Sequence, residues 1–143
     1  VMRGSSVPAG PCTLEDLADD VRGLYRVLGI AHSHWLGLSM GGMIGQTFAL
    51  KYPGVLTRLV LADINPQALV HARANAALAD LKRIAFVQSD LYAQLEGEFD
   101  LIVANPPYLV DPSARTYRNG GGSLGGGLSE RIVAEGLERL AAA

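Results

Sequence analysis

The sequence predicts an α/β fold, a three-layer Rossmann-like parallel sheet of about four strands with helices on both faces. Three observations carry this expectation. Short apolar runs alternate along the chain with helical segments, which is the order of a parallel sheet with right-handed crossovers. The runs are apolar at consecutive positions rather than alternate ones, as in strands covered on both sides. Glycine, proline and asparagine punctuate the alternation where turns and caps are needed. The expected spatial order of the strands is 3-2-1-4, the core of a doubly wound sheet.

Residues 1–12, rich in Gly, Ser and Pro, read as loop. Thr13 then opens a helix along Leu14, Leu17, Ala18, Val21, Leu24, Tyr25 and Leu28, positions three and four apart that fall on one face. Thr13 is an N-cap and Asp16, three residues later, makes a short form of the capping box. Gly29 supplies the left-handed stop. His34 to Ser39 is a first strand, ending in glycines. Met43 to Tyr52 is a helix that closes before Pro53. Leu59 to Ala62 is a second strand. Asn65 caps a helix with Pro66 in its first position, reaching to about Leu78. Ile84 to Gln88 and Phe99 to Ala104 are the third and fourth strands. Gly120–Gly122 and Gly125–Gly127 mark a mobile loop, and Leu128 to Ala142 a final amphipathic helix.

With 143 residues, 49% of them apolar and 18% charged, the chain is of single-domain size and too apolar to be disordered. The net charge of −2 offers no basic excess for a phosphate backbone, which disfavours broad nucleic-acid binding. One cysteine, Cys12, excludes an internal disulfide and fits a reducing compartment. No apolar run approaches the length of a membrane span, about 20 residues, and no signal pattern opens the chain. A cytoplasmic domain is expected, with no membrane partner and no metal site.

Two constellations carry chemistry. The first is Gly37-Leu38-Ser39-Met40-Gly41, a G-x-S-x-G pattern where a strand turns into a helix. With Arg3-Gly4, Ser6 to Gly10, Thr13 to Asp20, Ala49 to Pro53 and Leu59 to Asp63, residues 3–62 resemble α/β-hydrolases of the enol-lactonase and esterase type. That resemblance implies Ser39 as nucleophile and the Met40 amide as an oxyanion donor. The family's acid and histidine have no counterpart here, since His32 and His34 flank the far end of the strand and His71 lies on a helix. A serine without a base is a weak nucleophile, so Ser39 reads as vestigial.

The second constellation is Asn105-Pro106-Pro107-Tyr108, directly after the fourth strand. Two prolines stiffen the strand exit, so that Asn105 and a backbone carbonyl can grip an amino group while Tyr108 stacks on a planar target. The motif resembles that of class I S-adenosylmethionine-dependent N-methyltransferases, of the glutamine-methylating and small-domain type, over residues 63 to about 140. Asp63, in Asp63-Ile64-Asn65-Pro66, matches the acid that binds ribose hydroxyls. Asp90, in Ser89-Asp90-Leu91, matches the acid that approaches the adenine amino group. The resemblance implies S-adenosylmethionine, or a related small nucleoside, as cofactor. It also implies a glycine loop after the first strand, and laying Leu36 to Met43 over that loop keeps only Gly41. Met43 would place a long side chain where close backbone contact is needed.

The chain therefore reads as one domain, 1–143, built from a hydrolase-derived half (1–62) and a methyltransferase-derived half (63–143) joined at Ala62–Asp63. Gly41 and Asp63 stand 22 positions apart, near the ~20 expected between a glycine turn and its ribose acid. The expectation from the incomplete motifs is a recombined or designed chimera with no complete active site and no defined activity. Residual S-adenosylmethionine binding with weak N-methylation is the second reading, and weak ester hydrolysis through Ser39 the third. Open apolar sheet edges further predict a homodimer through edge pairing or strand exchange.

Overall fold

The computed structural model describes residues 10–111, 113, 118–122 and 124–141. The resemblances at Arg3-Gly4 and Ser6–Ala9, and the expected helical end at Ala142, lie outside the described residues.

Helix α1 spans Leu14–Leu28 and begins as its sequence dictates. Thr13 is extended, its Oγ1 accepts the Asp16 N–H at 3.1 Å, and its own N–H donates to Asp16 Oδ2 at 2.9 Å. Gly29, with φ 70°, ends the helix. Strand β1 (Ser33–Leu38) leads into helix α2 (Met40–Lys51) through Ser39 alone. The helix starts three residues before the sequence suggested, because one residue with positive φ suffices to reverse the chain. Strand β2 (Leu56–Asp63), helix α3 (Pro66–Leu78) and strand β3 (Ile84–Gln88) follow. Asn65 caps α3, its Oδ1 accepting from the Gln67 N–H at 3.0 Å, with Pro66 at the first turn. Strand β4 is Leu101–Ala104 and helix α4 is Gly127–Leu137.

The sheet is wholly parallel, in the order β3-β2-β1-β4. Side chains alternate between its two faces as the pleat requires. Trp35, Leu59 and Leu61 meet Ala18 and Tyr25 of α1 and Ile44 and Phe48 of α2 on one face. Leu36, Leu38, Val60 and Ala62 meet Tyr92, Leu95, Phe99 and, from α4, Ile132 on the other. Both faces are therefore covered by helices or packed turns, as expected.

Three details differ from the sequence reading. The β4 residues, apolar enough for a central strand, are only half-buried, because β4 stands at the edge of the sheet. The last helix stops at Leu137, and after a turn Leu140 pairs instead with Phe99, just before β4. There the Phe99 N–H donates to the Arg139 carbonyl at 2.9 Å and the Ala141 N–H to the Phe99 carbonyl at 3.0 Å. Pairing with Phe99 overrides the helical pattern at Leu140. The glycine segment, read as a mobile loop, is pinned by backbone hydrogen bonds: the Gly120 N–H to the Leu109 carbonyl at 2.9 Å, and the Leu128 N–H to the Gly120 carbonyl at 2.7 Å. Among the described residues no helix is long and apolar enough to cross a membrane.

Candidate functional site

Register brings the strand ends level. Leu38 pairs with both Ala62 and Ala104, and Asp63 with Gln88. The residues just beyond, Ser39, Asp63, Asp90 and Asn105, therefore emerge at one end of the sheet. They line an open cleft of about 470 Å³ with Asn65, Ser89, Pro106, Pro107 and, from α4, Leu128 and Ile132. The cleft lies where the connections leaving β1 and β4 diverge, the switch point at which open α/β sheets take ligands. Its volume suits a ligand of nucleoside size.

Each wall has a local cause. The Ser39 N–H donates to the Ala62 carbonyl at 3.2 Å and Ser39 holds φ 54°, ψ −122°, a strained conformation for a residue with a side chain. The turn is possible because Gly37 has no Cβ; one built there would lie 2.6 Å from the Gly42 Cα. Asp63 Oδ1 accepts the Asn65 N–H at 2.8 Å, which leaves Oδ2 without a donor among the described residues. The Ser89 N–H, donating to the Asp63 carbonyl at 3.1 Å, continues the β2–β3 ladder to the cleft. Buried Ser89 then accepts the Gln94 N–H at 3.2 Å and donates to the Leu91 carbonyl at 2.7 Å. These bonds fix the turn that presents Asp90, whose carboxylate meets Arg131 at 3.6 Å. Asn105 Nδ2 contacts the Met40 thioether at 3.7 Å.

Six of the eight site residues read from sequence meet on this cleft, and two do not. Gly41, expected to bind the cofactor, is buried and lines no part of it. A Cβ there would fall 1.9 Å from the Val103 carbonyl oxygen, so its role is close packing of α2 on β4. Tyr108 lies outside the cleft lining and is 68% exposed. Met43, expected to block the cofactor turn, is 52% exposed on α2 and does not line the cleft. Because α2 begins at Met40, Met43 falls on its exposed side rather than in the turn. No histidine lines the cleft: the His34 ring stands 3.9 Å from Asp100, and the His32 ring 3.1 Å from the Gly54 carbonyl. No group of three acidic, histidine or cysteine residues among the described ones could hold a metal. The sequence reading missed Leu128, Arg131 and Ile132, and took Met40 for its amide rather than for the thioether that meets Asn105. The four-residue spacing of Leu128 and Ile132 was the available signal.

A parallel sheet in this order, with acids leaving its second and third strands and Asn-Pro-Pro leaving its fourth, defines an α/β domain with a nucleoside-sized cleft. Comparison with known proteins narrows the class. The chain belongs to the methyltransferase small domain family, whose model matches residues 29–118, from before the serine turn to beyond Asn105-Pro106-Pro107-Tyr108. A Methanocaldococcus jannaschii relative, "Putative protein N5-glutamine methyltransferase", is 30% identical over 141 residues, covering 94% of this chain and 70% of its own. "Putative carbamate hydrolase RutD" of Pantoea ananatis is 35% identical over 96 residues, 66% of this chain and 34% of the hydrolase. This chain thus spans about a third of the hydrolase relative. A methyltransferase structure from Pyrococcus furiosus shares the fold with a TM-score of 0.63 at 18% identity, over 96% of this chain and 63% of that one. These matches overturn the expectation of a domain with no defined activity. The family pattern runs through the serine turn, the very segment read as having displaced the cofactor loop.

Proposed function

We propose that the chain is an S-adenosylmethionine-dependent methyltransferase domain that methylates a planar nitrogen, such as a side-chain amide. The observation that carries this reading is the convergence of Asp63, Asp90 and Asn105-Pro106-Pro107 on one cleft. The donor set fits the cofactor's chemistry. Asp63 keeps a free carboxylate oxygen for ribose hydroxyls, and Asp90 can accept from the adenine amino group. Leu38, Ala62, Ala68 and Ala104 give an apolar floor. When bound, S-adenosylmethionine supplies an electrophilic methyl group. Asn105 and the backbone beside it would accept hydrogen bonds from the target nitrogen and aim its lone pair, a contribution of positioning.

Titration calorimetry with S-adenosylhomocysteine tests the reading. Binding is expected, weakened about tenfold or more by Asp63→Ala; absence of heat at high micromolar ligand overturns it. Within this reading residues 1–143 form one domain, whose part up to Ala62 supplies a hydrolase-type serine turn, as the match to RutD supports. Two separate thermal transitions would contradict that unity. Self-association through a sheet edge or strand exchange belongs to the same reading, and a constant monomer mass in equilibrium sedimentation across concentrations would remove it.

A further inference from the structure

Helix α4 closes one side of the cleft through Leu128 and Ile132, four positions apart and so on one helix face. It is held to the segment after β3 at two points. Inside, the Tyr92 hydroxyl donates to the Ile132 carbonyl at 3.0 Å, and Tyr92 is buried. At the rim, Arg131 Nη1 lies 3.6 Å from Asp90 Oδ1, with the two side chains 50% and 56% exposed. The same guanidinium donates from Nε to Glu135 Oε1 at 2.9 Å, which fixes its plane from the far side. The Asp90 N–H is taken by Gln94 Oε1 at 3.2 Å. Among the described residues the Asp90 carboxylate has no other side-chain partner than Arg131.

We propose that Arg131 is a positioning residue for the nucleoside end of the cleft, orienting Asp90 toward a purine that carries an exocyclic amino group. The inference rests on the proposed function. Arg131 engages one carboxylate oxygen, and a carboxylate accepts about four hydrogen bonds in all, so Oδ2 stays open to a ligand donor. Held in this way, Asp90 meets an amino group favourably and opposes a carbonyl lone pair at the same place. Selection then arises as much from the mismatch as from the match.

The test compares S-adenosylhomocysteine with an analogue carrying hydrogen in place of its exocyclic amino group. Calorimetry is run on the wild-type chain, Arg131→Met and Arg131→Lys, with thermal unfolding as a check on folding. The Arg131→Met variant is expected to bind S-adenosylhomocysteine about fivefold more weakly and the analogue as the wild type does. Arg131→Lys should restore most of the difference. Added salt should erode the wild-type preference and leave the Arg131→Met variant unchanged, since an exposed pair is screened. Equal weakening for both ligands would mean that Arg131 only packs α4, and unchanged affinity for both would make the contact a surface pair without function. Either result overturns this inference alone. A wild-type chain that binds neither ligand overturns the proposed function as well.

Discussion

Gly41 and Ser39 stand two positions apart and illustrate opposite relations between a residue and its backbone. Gly41 is buried where α2 meets β4, and a methyl group there would overlap the Val103 carbonyl at 1.9 Å. Gly41→Ala should therefore destabilise the chain by about 3 kcal/mol, read as a lowered midpoint in chemical denaturation, because backbone cannot yield as a flexible side-chain end can. Ser39 has a side chain in a conformation that favours glycine, φ 54° and ψ −122°. Relief of that strain exceeds the entropy that glycine loses on folding, so Ser39→Gly should stabilise by about 1 kcal/mol. A loss of stability in Ser39→Gly would show that the hydroxyl holds the turn. The pattern G-x-S-x-G made the turn legible in the sequence. It could not tell which glycine packs and which neighbour points outward, since that depends on where the helix starts. Met43 was misjudged for this reason.

At the scale of elements, α1 shows how far local sequence reaches. Its cap and stop follow from Thr13, Asp16 and Gly29, and of its apolar spacing Leu14, Leu17, Ala18, Val21 and Tyr25 pack into the core while Leu24 and Leu28 are exposed. What the sequence did not show was its polar tie to α2, where Asp19 pairs with Lys51 at 2.6 Å and accepts the Tyr52 hydroxyl. Both acids sit below the ordinary carboxyl value of 3.8. The Thr13 backbone and side-chain hydrogen bonds lower Asp16, and the Lys51 and then Tyr52 hydrogen bonds lower Asp19. A carboxyl lowered in the folded state contributes stability that is present above its unfolded value and is lost as pH falls through the folded one. The wild type should therefore lose stability below about pH 4, where an Asp16→Asn, Asp19→Asn double variant should start lower and fall less steeply. Urea midpoints measured between pH 2 and 7 would read the difference, and parallel curves would refute it. Helix α4 marks the opposite limit. Its end was hidden because residues 139–141 are drawn to Phe99, a residue distant in sequence just before β4.

For the whole molecule, strand order and cleft position were legible because both follow from the sequence of strands, turns and crossovers. The function was misread because the serine turn was taken as a replacement for the cofactor loop. The family model matches across that turn, where Ser39 lines the cleft and Gly41 and Met43 do not. If the cleft binds the cofactor, ligand that prefers the folded chain must raise its stability by mass action. At a concentration one hundred times the dissociation constant the gain is about 2.7 kcal/mol. For a chain of this size that moves the thermal midpoint by about 8 °C. The midpoint should climb with the logarithm of S-adenosylhomocysteine concentration, in a single cooperative transition. Asp63→Ala should move the curve toward higher ligand concentration, because it removes a group on the cleft wall and leaves the β2–β3 ladder intact. Arg131→Met should move it less, and only for ligands bearing the exocyclic amino group. A midpoint unmoved at millimolar ligand would leave this cleft a consequence of the fold without a nucleoside to fill it.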